Sequence, residues 1–269
     1  MADERGRSMI ARAALLLRAF DQQHDAMTVS ELATRTGLPI GTVHRIAGDL
    51  VAERLLDREG TSYSIGTGLW EAGELSAVSL RFRETTLPFL LSLYEATGEN
   101  VHLAILDGFE ALYVARLVGP RSVPTISRMG GRLPLHTTGV GKALLAFQDD
   151  GFLAEFFSRP LATPTRYSLG TEAAVRAELD EIRASGFSTT RQEMTLGNAA
   201  LAVPVFVGDG APYAAVSLVT HLARADERRN IPLLKASAAE IGAALAVSLR
   251  GGRRWPASPE SFPLNGKNT

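Results

Sequence analysis

At 269 residues with 45% apolar content, the chain is long enough for about two ordinary domains, each with its own core. It has no cysteine, which excludes disulfides, thiolate zinc sites and a cysteine nucleophile. A net charge of −1 and a pI near 6.5 exclude a chain-wide basic footprint, and with neither a transmembrane-length apolar run nor a basic-then-apolar leader, a soluble, cytoplasmic protein without membrane contact is expected.

Met9 to Phe20 has apolar residues all round (Ile10, Ala13, Leu16, Leu17, Phe20), which predicts a first helix buried under two others. Thr28 with Glu31 three residues on forms a capping box, so a second helix starts there, with Leu32 and Ala33 turned inward. Gly37 ends it, because a sharp turn between packed helices needs a residue that tolerates positive φ. Pro39 suits the first turn of a third helix, in which Val43, Ile46 and Leu50 recur at spacings of 3 and 4 and leave Thr42, His44 and Arg45 on other faces. The Ala33, Gly37 and Val43 spacing is that of a helix-turn-helix, so this segment is expected to read DNA. Two short β-prone runs around Glu59-Gly60 follow directly, as a wing would. Arg35, Thr36, Ile40, Thr42, His44, Arg45, Arg58 and Tyr63 are the candidate DNA contacts.

Charge supports this only locally. Met1 to Leu75 holds eight arginines against eleven acids, a net of −3, yet Leu32 to Gly48 contains Arg35, His44 and Arg45 and no acid, and Arg5, Arg7 and Arg12 lie upstream. Phosphate contacts need cations only on the docking face. Modest affinity per head and reliance on a dimer are therefore expected.

Gly66 to Leu80 reads as a linker helix, with Leu69, Ala72, Leu75 and Val78 at spacing 3 forming a stripe that could pair with its twin. Beyond Arg81 the pattern turns mixed. Helices are predicted over 84–97, 139–147, 171–184 and 231–249, strands over 101–106, 111–117, 123–127, 199–207 and 212–219, and a disordered tail from Gly251. No internal repeat is visible.

Enzyme motifs fail on inspection. Gly139-Val-Gly-Lys142 resembles the end of a P-loop, but its first glycine would fall at His136 and its Ser/Thr at Ala143. No G-x-S-x-G or H-E-x-x-H occurs, and the five histidines lack metal-ligand spacing. Lys142 is read as a helix residue, solvated or paired. Catalytic residues, metal and cofactor are each expected to be none.

The stretch from about Arg7 to Arg250 resembles the IclR family of bacterial transcriptional regulators. The matching residues are Gly37-Leu-Pro39 with Thr42-Val-His-Arg45, Gly98-Glu-Asn-Val-His-Leu-Ala104, Gly131-Arg-Leu-Pro-Leu-His136, Gly139-Val-Gly-Lys-Ala-Leu-Leu-Ala146, and Gly186 with Glu193 and Ala200-Leu-Ala-Val-Pro-Val-Phe206. The resemblance implies an α+β chain: a winged helix-turn-helix domain at 1–65, a linker helix at 66–80, a GAF-like α/β effector-binding domain at 81–250 and a tail at 251–269. It also implies a homodimer or dimer of dimers on operator DNA, acting as a repressor of a catabolic operon. The competing reading is a metabolite-sensing module whose N-terminal domain contacts protein.

Departures from the family pattern bear on chemistry. Ile40 and Gly41 follow Pro39 where relatives often have Lys-Ser, and Val207 stands where Asp, Asn or Gly is usual. Relatives that bind glyoxylate or pyruvate use a Gly-Ala backbone pair, an Asp, a Cys and two Ser; those positions are here Gly139, Val140, Thr190, Ala200, Ser217 and Val219. A two- or three-carbon keto acid is nearly all polar atoms, and each unmet hydrogen bond costs about 1 to 3 kcal/mol. The less polar set predicts a partly apolar or aromatic acid or derivative. Its polar end would be held by Thr190, Ser217 or the N–H groups of Gly139 to Gly141, with Met129 on the adjoining loop.

Overall fold

The computed structural model describes residues 8–21, 23–76 and 82–250. The chain separates into two compact units, Met1–Leu80 and Arg81–Thr269. Arg5, Arg7, Val78 and the tail from Gly251 lie outside the described residues.

In the first unit, α1 (Met9–Leu17), β1 (Ala26–Thr28), α2 (Val29–Thr36) and α3 (Ile40–Ala52) lead into β2 (Leu56–Glu59), β3 (Ser62–Ile65) and α4 (Thr67–Glu74). The sheet is antiparallel with order β1-β3-β2. The capping box forms: the Thr28 hydroxyl accepts from the Glu31 N–H at 3.4 Å and the Glu31 carboxylate accepts from the Thr28 N–H at 2.7 Å. Gly37 closes α2 in the left-handed region at φ 69°, donating to Ala33 O. Pro39 occupies the N-cap of α3 rather than its first turn. Leu16, Met27, Leu32, Val43, Ile46, Leu50, Leu56 and Tyr63 form one core, each apolar side chain stabilising by about 1.5 to 3 kcal/mol. The expectation of a buried first helix is corrected: Ile10 is 81% exposed and only Leu16 of α1 is buried, so α1 lays one face on the core. β1 was not foreseen, being too short to show a period.

The second unit comprises α5 (Glu84–Thr97), β4 (Asn100–Asp107), β5 (Glu110–Leu117), β6 (Arg132–Pro134), α6 (Gly139–Leu145), α7 (Asp150–Phe157), α8 (Glu172–Ser185), β7 (Ser188–Arg191), β8 (Asn198–Val205), β9 (Ala214–His221) and α9 (Glu227–Arg250). The six strands pair antiparallel in the order β6-β5-β4-β9-β8-β7. Strand alternation sends Leu103, Leu201, Val203 and Leu218 to the face on which α5 and α9 pack. Ala104, Tyr113, Ala202 and Ala215 face the other core, under Val140, Leu144, Leu145, Phe152, Leu153 and Leu179. α9 is long and apolar enough to span a membrane by length and composition alone. Its stripe Leu234, Ala238, Ile241 and Leu245 is instead buried.

The strand expected at 123–127 is not formed. Pro124 has no N–H for a ladder. Side-chain amides hold the segment instead, Asn100 Nδ2 donating to Val123 O at 2.9 Å and Asn198 Nδ2 to Pro124 O at 2.7 Å. α7 and β7 were not foreseen.

Candidate nucleic-acid interface and ligand cavity

On α3, Val43, Ile46, Ala47 and Leu50 are buried, which leaves the other side of the helix outward. Ile40 is 58% exposed, His44 and Arg45 are exposed and Thr42 is half-buried. Arg45 touches Asp49 at 3.4 Å and the Met9 sulfur at 3.4 Å. Exposed pairs of that kind contribute only ~0.3–0.5 kcal/mol, so the guanidinium is readily given up to a phosphate or base. Arg58, exposed on the wing, donates to Gly60 O at 3.0 Å and lies over the Tyr63 ring.

The remaining three candidates make contacts within the domain, Tyr63 buried, Thr36 half-buried and Arg35 exposed. Tyr63 is buried at 2% exposure and belongs to the core beneath Arg58. The Thr36 hydroxyl donates to Leu32 O at 2.6 Å. Arg35 donates from Nε to Ala19 O at 3.0 Å and from Nη2 to Asp21 at 2.7 Å, so its charge ties α2 to the segment after α1. A hydrogen bond from the His24 ring, another from the Gln23 N–H and the charges of His24 and Arg35 hold the Asp21 carboxyl down at about 2. Because the folded-state value is depressed, Asp21 stabilises the domain above the ordinary value of 3.8 and this contribution is lost as pH falls from there toward 2. Asp21→Asn is therefore expected to lower the melting temperature at neutral pH, with the gap from wild type closing on acidification. A gap that stays constant across that range would exclude the clamp.

In the second unit a cavity enclosing about 480 Å³ of empty space, its mouth included, opens over the sheet. Its floor follows from register. Thr190 pairs with Ala200, which pairs with Val219, and one row over Ala202 pairs with Ser217, which pairs with His102. Directly opposed residues in an antiparallel sheet share a face, so residues far apart in sequence line one floor. The start of α6 forms a wall with Gly139 and Val140, and the segments holding Thr125–Ser127 and Glu193–Thr195 form others. α6 sits low because Gly139 lacks a side chain: a methyl there would lie 3.3 Å from both Ala200 and Ala202 Cβ. The Ser188 hydroxyl fixes it from below, donating to Gly139 O at 2.7 Å.

Of the expected effector residues, Gly139, Val140, Thr190, Ala200, Ser217 and Val219 line this cavity. Met129 is half exposed and off the lining, and the Gly141 N–H is taken by the Thr138 hydroxyl at 3.2 Å, so neither belongs to it. His102, Tyr113, Thr125, Ser127 and Glu193 line it without having been foreseen. His102 shares a row with Arg116 on β5. A polar chain runs from Arg116 through Thr125 (3.4 Å) and Ser127 (3.0 Å) to His102 Nε2 (3.3 Å). Burial, with the Arg116 charge, pulls His102 down to about 3, so its ring is neutral.

Lys142, one turn into α6, is not solvated. It is fully buried and lies between Glu178 at 2.6 Å and Glu193 at 2.7–2.8 Å. Burial raises the Glu193 carboxyl, with Lys142 opposing that shift.

The sequence of each unit has counterparts. Residues 9–60 match the family model described as the IclR helix-turn-helix domain, and residues 75–247 match that of the bacterial transcriptional regulator IclR C-terminal. The HTH-type transcriptional regulator XynR of Escherichia coli (strain K12) is 30% identical over 223 residues, 81% of this chain and 88% of the relative. The transcriptional repressor IclR of the same organism is 28% identical over 251 residues, 91% of this chain and 90% of the relative. An IclR homolog from Microbacterium hydrocarbonoxydans, solved in complex with 4-hydroxybenzoate, superimposes with a TM-score of 0.83 at 29% identity, covering 89% of this chain and all of the other.

Proposed function

The chain belongs to the IclR family of bacterial transcriptional regulators, and from that premise we propose that it represses a catabolic operon in the cytoplasm and is controlled by a partly apolar, aromatic acid or derivative. The observation that carries the effector reading is the composition of the cavity: Val140, Ala200, Val219, Leu133 and Ile126 offer apolar contact. A keto acid of two or three carbons would leave most of that surface unfilled. The acid group is assigned to the wall where Ser127 and Thr125 stand in front of Arg116, because Glu193 is an acid in the other wall and would repel it. The relative solved with 4-hydroxybenzoate supports this ligand size and class. No catalytic role is assigned.

DNA is read by Ile40, Thr42, His44 and Arg45 on α3 in the major groove, with Arg58 of the wing on the backbone. Arg45→Ala is expected to weaken specific binding by about 1–3 kcal/mol and to relax preference at one base pair. A mobility shift on the upstream intergenic DNA measures this, and unchanged affinity with an intact circular dichroism spectrum would remove Arg45 from the interface. One acidic-leaning head has few cations, so two heads are needed. The pairing element is α4 (Thr67–Glu74) and its flank, where Trp70 is 66% and Leu75 75% exposed.

A thermal-shift panel tests the effector. Benzoate-type acids at a hundredfold excess over Kd should stabilise the protein by about 2.7 kcal/mol. Stabilisation by glyoxylate or pyruvate alone would overturn the reading.

A further inference from the structure

We propose that Ile40 makes the head select a thymine, packing its side chain on the C5 methyl group of that base in the major groove, so that each operator half-site carries one T·A pair fixed by an apolar contact. This rests on the reading of α3 as the groove-facing helix given above and names what one of its residues recognises.

The packing of the head does not call for an isoleucine at this place. Ile40 is the first residue of α3 and is 58% exposed, although a large aliphatic side chain stabilises a fold only where it leaves water. The buried side of α3 consists of Val43, Ile46, Ala47 and Leu50, and Ile40 is not part of the core they build. It stands one turn before the exposed His44 on the flank of the helix next to Arg45. A methyl group at Gly41 or at Gly48 would meet no packed neighbour within 4 Å, and these two residues lie one turn before and one turn after Arg45. Bare backbone on either side of the arginine lets base edges come close to this surface.

Chemistry then selects the base. In the major groove thymine alone presents a methyl group, and the other base edges offer donors or acceptors. Isoleucine cannot hydrogen-bond, so against guanine, adenine or cytosine it strips water from a polar edge and returns nothing, which is costly. Against the thymine methyl it removes apolar surface of both partners from water. Position agrees with this, because a recognition helix places its N-terminal residues on base edges. Arg45 supplies the charge further along α3, so the helix joins a salt-dependent contact to one that releases no counterions.

Selection of bound sites from a pool of random duplexes, by the full chain and by its Ile40→Ala variant, tests the proposal with no operator known beforehand. Sites taken by the unmodified chain should share a T·A pair in each half-site that the variant no longer requires. Replacing that thymidine in one half-site by deoxyuridine removes a single methyl group and nothing else. Loss of one buried methyl should weaken binding by the unmodified chain about fourfold and by Ile40→Ala less than about twofold, whereas Ile40→Val should keep the preference. The thymidine-to-deoxyuridine ratio should be the same at about 50 and about 200 mM salt while both affinities fall. Equal base preferences in the two selections, or a methyl effect that persists in Ile40→Ala, would overturn the proposal and leave α3 as the reading helix. A weaker dimer for Ile40→Ala in sedimentation, with its selected sites unchanged, would overturn it too and assign the exposed side chain to a second head. Failure of the unmodified chain to enrich any site would overturn the reading of DNA by α3 and this proposal together.

Discussion

Lys142→Met is expected to destabilise the C-terminal unit by about 3–5 kcal/mol, the loss seen when one partner of a buried ion pair is removed and the other stays charged. Two carboxylates depend on this one ammonium. Glu178 is 23% exposed at its side chain and can turn to water, whereas Glu193 at 9% cannot. The residual cost therefore falls on Glu193. Its carboxyl already binds a proton more tightly in the folded state than the ordinary value of 4.5 because of burial, and Lys142 is the main influence opposing that. For a carboxyl raised on folding, the native state is penalised once the unfolded chain has ionised, so the penalty grows as pH rises through and above 4.5. The gap between variant and wild type in urea-unfolding midpoints should consequently be wider at about pH 8 than at about pH 5. Equal gaps at both would show that the loss comes from packing of the lysine stem and not from the unpaired charge.

That triad also marks where reading the sequence stops. The helix-turn-helix was legible because its constraints are local: a capping box within four residues, one left-handed glycine, and apolar positions on a single helix face. The same holds for α5 and α8, each closed by a glycine at positive φ. Of the cavity, the residues found in advance were those matched position by position to relatives with a known effector site. His102 and Arg116 were missed because nothing in β4 or β5 alone reveals that β4 pairs with β9, which sets His102 beside Ser217. Glu193 was noticed only as a signature position, since its partner Lys142 lies 51 residues away. The pairing of Arg35 is hidden for a related reason: its partner acid, Asp21, lies on the far side of the turn between α1 and α2. Charge counted along a segment does not show which charges are already paired across the fold.

The two glycines at the start of α6 should respond oppositely to a single methyl group. In an ordinary exposed helix Gly→Ala gains about 1 kcal/mol. At Gly141 the added carbon would lie 2.5 Å from Leu135 Cα and from the Thr138 hydroxyl, and closer still to Leu135 O. Two of these are backbone atoms of the turn that enters α6, so the turn must open and give up the Thr138 cap. That overpacking outweighs the propensity gain, and Gly141→Ala should cost about 3 kcal/mol net. At Gly139 the contacts are 3.3 Å to two alanine methyls, which a small shift of α6 relieves, so Gly139→Ala should cost about 1 kcal/mol or less. The shift lifts Val140 off the floor formed by Ala200 and Val219, and ligand affinity should fall more than stability does. Denaturant midpoints and calorimetric affinities of the two variants separate these effects. An unchanged midpoint for Gly141→Ala would mean that the 135–138 turn yields freely, and that the cavity wall it supports is not rigid.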